Sequence, residues 1–158
     1  MSAYPVLKWL HVLSSVVLVG TGFGTAYFMY FANRSASVPA QAVVTRLVVR
    51  ADLWFTTPAV VLQPLTGIAL ASLAGWPLTT PWIALSIGLY LVAGACWLPV
   101  VRLQMRLRDL ARAAHAAGSE LAPVYWVLAR RWERLGYPAF IAMVAVFYLM
   151  VAKSSLGV

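Results

Sequence analysis

His11 is the residue with the most chemistry to offer. It sits near the start of a long apolar stretch that carries no acidic group. An ionisable group inside a membrane span is costly and is a functional candidate by default. Lys8 stands three residues earlier, on the same helical face. Near the other end of the chain, Met150 and Lys153 repeat that spacing on a stretch that crosses in the opposite direction. If both lysines snorkel to one interface, His11 and Met150 lie one step deeper and at similar depth. A neutral imidazole binds haem iron and a thioether can supply the sixth ligand. The spacing therefore predicts a haem site, with His11 as axial ligand, Met150 as possible sixth ligand, and Lys8 and Lys153 as clamps for the propionates. The competing reading is that His11 bonds a neighbouring helix and Met150 packs, as methionine commonly does in a helix core.

Other polar residues are weaker candidates. His115 lies on an Ala/Arg-rich helix and reads as solvated. Copper held by His11 with Met143 or Met150 is a third reading, since Cu(I) accepts soft ligands. Cys96 falls in the opposite half of its span, and no CxxC, HxH or Met-rich run supports a metal relay. Gln63 and Thr66 sit near the middle of a span, where they would bond other helices or line a quinone or porphyrin pocket. Asp52 is expected to pair with Arg46, Arg50, Arg102 or Arg134. Glu133 and Asp109, flanked by arginines, read the same way. No pair of carboxylates lies within a span, and there is no Walker loop, Ser elbow or HExxH.

The elements that must position these residues follow from composition. Of 158 residues, 63% are hydrophobic and 10% charged, which excludes a soluble domain of this length. A single cysteine excludes an intramolecular disulfide framework and multi-cysteine metal sites. Spans of about 20 apolar residues are predicted at 4–32, 53–74, 82–101 and 135–156. The second is expected to continue a helix starting near Pro39 and to kink at Pro58 and Pro64. The short uncharged turn 75–81 makes spans two and three a hairpin. Gly118 is a natural helix stop, and Ser119 is expected to cap the next helix.

Ten arginines fall in the two connections that share a side, against Lys8 and Lys153 on the other. The positive-inside rule then predicts cytoplasmic connections and both termini outside. The net charge of +8 is topology information and a surface for anionic lipid headgroups, not a nucleic-acid site. Gly20 and Gly24 have GxxxG spacing, which allows close packing within the bundle, in a homodimer or against a partner membrane subunit.

The chain resembles the bacterial integral-membrane family known as domain of unknown function 2269. The carrying segments are Leu7-Lys8-Trp9-Leu10-His11, Ala51-Asp52-Leu53-Trp54-Phe55-Thr56 and Gln63-Pro64-Leu65-Thr66-Gly67. Trp97-Leu98-Pro99-Val100-Val101-Arg102, Arg131-Trp132, Gly136 and Phe147-Tyr148-Leu149-Met150-Val151-Ala152-Lys153 complete the match. More distantly, the Lys8-x-x-His11 start is similar to that of HemJ-type protoporphyrinogen oxidases and CopD-like membrane proteins. The HemJ resemblance implies a b-type haem, haem b, with His11 as its ligand. That family's later basic residue has no counterpart here, where span three carries Tyr90, Cys96 and Trp97.

The expected fold is all-α, a four-helix transmembrane bundle with helical cytoplasmic extensions, in a bacterial inner membrane. The expected function is a small haem-binding membrane protein with a redox role, in electron transfer or oxidation of a porphyrin- or quinone-type substrate. Its rivals are a cofactor-free scaffold or accessory subunit and a copper-handling protein.

Overall fold

Proline and cap residues set where the helices begin. The computed structural model describes residues 3–152. α1 spans Tyr4–Arg34, with Pro5 in its first turn, where the missing N–H costs nothing. α2 spans Val38–Ala51; the Ser37 hydroxyl accepts from the Ala40 N–H at 3.4 Å, and Pro39 follows in the first turn. α3 spans Thr57–Leu73, α4 spans Pro81–Ala116 and α5 spans Pro123–Ala152. There is no strand among the described residues.

α2 and α3 form one continuous rod, joined by a π-helical turn over Asp52–Thr56. Pro58 explains this widening. It cannot donate to the Trp54 carbonyl, and its ring would clash there in a regular helix. The Thr57 N–H and the Thr57 hydroxyl both take the Asp52 carbonyl oxygen instead, the latter at 2.9 Å. Pro64 breaks the ladder once more, and the freed Val60 carbonyl accepts from the Tyr90 hydroxyl of α4 at 2.6 Å. The kink expected at Pro58 is thus a change of helix type, and the one at Pro64 is spanned by a neighbour.

The turn joining α3 to α4 is tight, as its short uncharged sequence predicts. Gly75 takes a φ of +72° there, a conformation only glycine adopts without strain. α4 stops short of Gly118, whose φ is +60°, with the Ser119 N–H bonded back to the Ala114 carbonyl at 3.0 Å. Ser119 does not cap the next helix. Its hydroxyl faces the Ala114 carbonyl, and α5 begins four residues later at Pro123.

Four helices are long and apolar enough to cross a membrane: Tyr4–Arg34, Val38–Leu73, Pro81–Ala116 and Pro123–Ala152. At most 22% of the most apolar window of any of them is buried. Apolar side chains therefore point outward along the bundle, as lipid contact requires and a soluble core forbids. Val151 is 81% exposed and Trp54 72%.

The tightest packing lies toward the arginine-rich end. Met29, Val48, Leu107, Ala111 and Tyr125 form a buried core there, built from α1, α2, α4 and α5. The Tyr125 hydroxyl donates to Asn33 Oδ1 at 2.6 Å, and Arg34 pairs with Glu133 at 3.1 Å. α5 packs mainly on α4, and α1 mainly on α2 and α3; α1 and α5 touch sparsely. The bundle is thus two helix pairs, well joined through α2 and α4 at the arginine-rich end and sparsely joined elsewhere, along α1–α5 and α3–α4 alike.

Candidate functional site

Two polar clusters lie within the bundle. The first is built on His11. Its Nδ1 lies 2.8 Å from Thr66 Oγ1, and its Nε2 lies 3.5 Å from the Gln63 amide nitrogen. The Thr66 hydroxyl donates to the Leu62 carbonyl at 2.7 Å, so toward His11 it acts as acceptor. That requires the tautomer with the proton on Nδ1 and leaves Nε2 as acceptor for the Gln63 amide. Gln63 Oε1 in turn accepts from the Ser14 hydroxyl. Every member of this chain has a partner. Gly67 makes the approach possible: a Cβ there would lie 3.1 Å from His11 Cε1. His11 thus faces α3, with Gln63 and Thr66 as interhelical bonds.

The other residues expected around a haem are more scattered. Lys8 is exposed, one turn before His11. Met150 is half-buried on α5, a helix that touches α1 only sparsely. Lys153 lies outside the described residues. Cys96 is a half-buried free thiol, and His115 is exposed at the arginine-rich end. No three His, Cys, Asp or Glu side chains gather as a metal site among the described residues. Gly20 and Gly24 do not serve as a packing face within the chain, since a Cβ at either would meet nothing within 4 Å.

The second cluster lines a cavity of about 370 Å³ in the seam between α1 and α5, closed behind by α4 and the π turn. Its wall is overwhelmingly apolar and rich in aromatic rings: Phe23, Tyr90, Trp97, Trp132, Tyr137 and Phe140. Phe23 and Phe140 meet across the seam with ring centroids 5.6 Å apart. Gly22, Gly94 and Gly136 also line it, and a Cβ at any of them would enter open space. The absence of three side chains is what leaves the cavity open.

Its polar groups converge at the end nearer the arginines. Asp52 is buried, accepts from the Thr56 hydroxyl at 2.9 Å and has the Gln104 side chain as its second polar neighbour. This corrects the expectation of an arginine partner: the π turn rotates Asp52 inward, and the two ion pairs at this end belong to Arg34–Glu133 and Arg108–Asp109. Outside the spans, the hydrogen bond from Arg108 holds the Asp109 carboxyl below the usual carboxylate range. Two buried polar atoms on the cavity wall have no hydrogen-bond partner, the Trp97 Nε1 donor and the Gln104 Oε1 acceptor. Buried polar groups are paired in almost all cases, so two orphans in one cavity mark a place for a ligand's polar end. The π turn adds to this, since such turns are frequent at functional sites. The sequence reading missed the cavity. Its signals were Gly22, Gly94 and Gly136, scattered over three helices, and Pro58 after Asp52.

These elements define a polytopic, all-α membrane protein of four spanning helices with a polar-headed cavity between them. Residues 5–154 match the family described as "Predicted integral membrane protein (DUF2269)". The chain belongs to that family. No curated protein and no solved structure matches it.

Proposed function

We propose that this protein binds, within the membrane, a lipid-soluble molecule with a flat apolar body and a polar head that both donates and accepts hydrogen bonds. The quinone and quinol class has this chemistry. The observation that carries the reading is the cavity with its unpaired Trp97 donor and Gln104 acceptor beside Asp52. A volume of 370 Å³ lies within the roughly 300–1,000 Å³ range of small-molecule sites, which are mostly apolar with a few placed polar groups. The sparse α1–α5 seam offers a path from the bilayer.

A short-chain quinone titrated into detergent-purified protein should quench tryptophan fluorescence saturably. Gly94→Leu, which fills the cavity without a backbone clash, should abolish the saturable phase. By calorimetry Trp97→Phe should weaken binding about fivefold, the worth of one hydrogen bond. Equal quenching of the wild type and the Gly94→Leu variant would overturn the reading.

A second reading, a b-type haem with a redox role, is favoured by one geometric feature. An axial histidine has its distal N–H held by an oxygen acceptor, which fixes the tautomer. His11 Nδ1 is so held by Thr66, while Nε2 has only the long Gln63 contact. His11 would hold the iron through Nε2, and the haem would supply one-electron redox chemistry there. Met150, Lys8 and Lys153 remain the candidates for sixth ligand and propionate clamps. Under either reading, the arginine-rich end faces the cytoplasm of a bacterial inner membrane.

A further inference from the structure

A groove of about 690 Å³ opens between α2 and α4 at the arginine-rich end, away from the cavity. α2 contributes Arg46 and Arg50 and α4 contributes Arg108, Arg112 and His115, with Asp109 the only acid on its wall. The α2 arginines are four residues apart, as are the α4 arginines, so each pair stands on one helical face. Arg108 is committed to Asp109 at 2.9 Å. Arg46, Arg50 and Arg112 form no ion pair among the described residues. Three guanidinium groups without a close ion pair thus converge on one concave surface, with only Asp109, already bound to Arg108, to offset them. Like charges so placed repel one another unless an anion joins them, and a guanidinium fork matches phosphate oxygens.

The depth of the groove points to the source of that anion. One turn beyond Arg50, Leu53, Trp54 and Phe55 are all more than half exposed. An outward-facing tryptophan between two large apolar side chains marks the membrane–water interface, where lipid headgroups lie. Arg50 therefore stands at phosphate depth and Arg46 one turn farther out, with the exposed Leu53 and Trp54 on their membrane side for an acyl chain.

We infer that the α2–α4 groove is a binding site for a phosphate-bearing anion, the headgroup of an anionic phospholipid, held by Arg46, Arg50 and Arg112. Basic pockets between membrane helices have this role elsewhere. The site is independent of the cavity and of any cofactor at His11.

The test is native mass spectrometry of the full chain in mild detergent, offered phosphatidylglycerol, phosphatidylcholine or inorganic phosphate. Phosphatidylglycerol should be retained in preference to phosphatidylcholine. An Arg46→Gln, Arg50→Gln, Arg112→Gln triple variant should bind it on the order of 100-fold more weakly, at about one factor of five per arginine. A charge-matched control, Arg102→Gln, Arg106→Gln, Arg130→Gln, should retain it. All substituted side chains are exposed, so both variants should elute like the wild type in gel filtration. Equal loss in both variants, or equal retention of the two lipids, would overturn the site. Saturable inorganic phosphate binding that the first variant alone loses, without phosphatidylglycerol retention, would overturn the lipid headgroup and assign the groove to a free phosphate.

Discussion

At the residue scale, the two readings of the interior divide at His11. Its hydrogen bonds to Thr66 and Gln63 make it structural whether or not it also binds iron. Thr66→Val should cost about 0.6 kcal/mol, and no more than about 1.7, the range for interhelical hydrogen bonds in membranes. Unfolding in mixed micelles measures this. Haem content is a separate readout. On the haem reading, with ample haem supply, a Soret band and a pyridine haemochrome should appear in the wild type and the His115→Ala variant and be lost in His11→Ala. Full haem content in His11→Ala would end the second reading. The sequence singled out His11, Gln63 and Thr66 correctly as polar groups within spans. It did not tell that they meet, because the polar face that His11, Ser14 and Ser15 give span one does not say which neighbouring helix it packs on. For Asp52, the abundance of arginine made an ion pair the obvious partner. Its actual partners depend on the local helix type, which side-chain pattern does not encode.

Proline is what makes the elements irregular, and the two prolines of the second span do different work. Pro58 widens the helix into the π turn that aims Asp52 at the cavity. Pro64 frees the Val60 carbonyl, and Tyr90 takes it up from α4. Tyr90 also lines the cavity, so this bond fixes a wall of the site as well as bridging the break. Tyr90→Phe should therefore cost about 1 kcal/mol and leave a buried carbonyl without its partner. In a Pro64→Ala background the same change should cost much less, because the backbone N–H restored by that substitution would satisfy the Val60 carbonyl within the helix. A double-mutant cycle on unfolding free energies measures the difference. Additive effects would mean that the hydroxyl does not serve the proline break. Both breaks were expected from the sequence. Their resolution was not, since it depends on which neighbour faces the freed carbonyl.

At the scale of the whole molecule, packing and charge are both polarised along the bundle. The buried core and both ion pairs among the described residues lie toward the arginine-rich end, while the cavity occupies the seam above them. The four spans were legible from apolar run lengths alone, and the tight turn between α3 and α4 from its short uncharged sequence, although those two helices hardly pack on each other. The seam was not, because helix-to-helix partnering in lipid depends on small-residue contacts rather than on an apolar stripe. Charge asymmetry makes a stronger statement, about orientation. Ten arginines against two lysines should hold the α4–α5 connection in the cytoplasm and the α3–α4 turn outside. Single cysteines at Ser119 and Thr79, both exposed, report this in a Cys96→Ala background. A membrane-impermeant thiol reagent should label Thr79→Cys in intact spheroplasts, and Ser119→Cys only after the membrane is opened. The reverse pattern would invert the protein and leave the groove arginines facing outward. Labelling of both in intact cells would break the even span count, because two sites separated by α4 alone can share a side only if α4 does not cross.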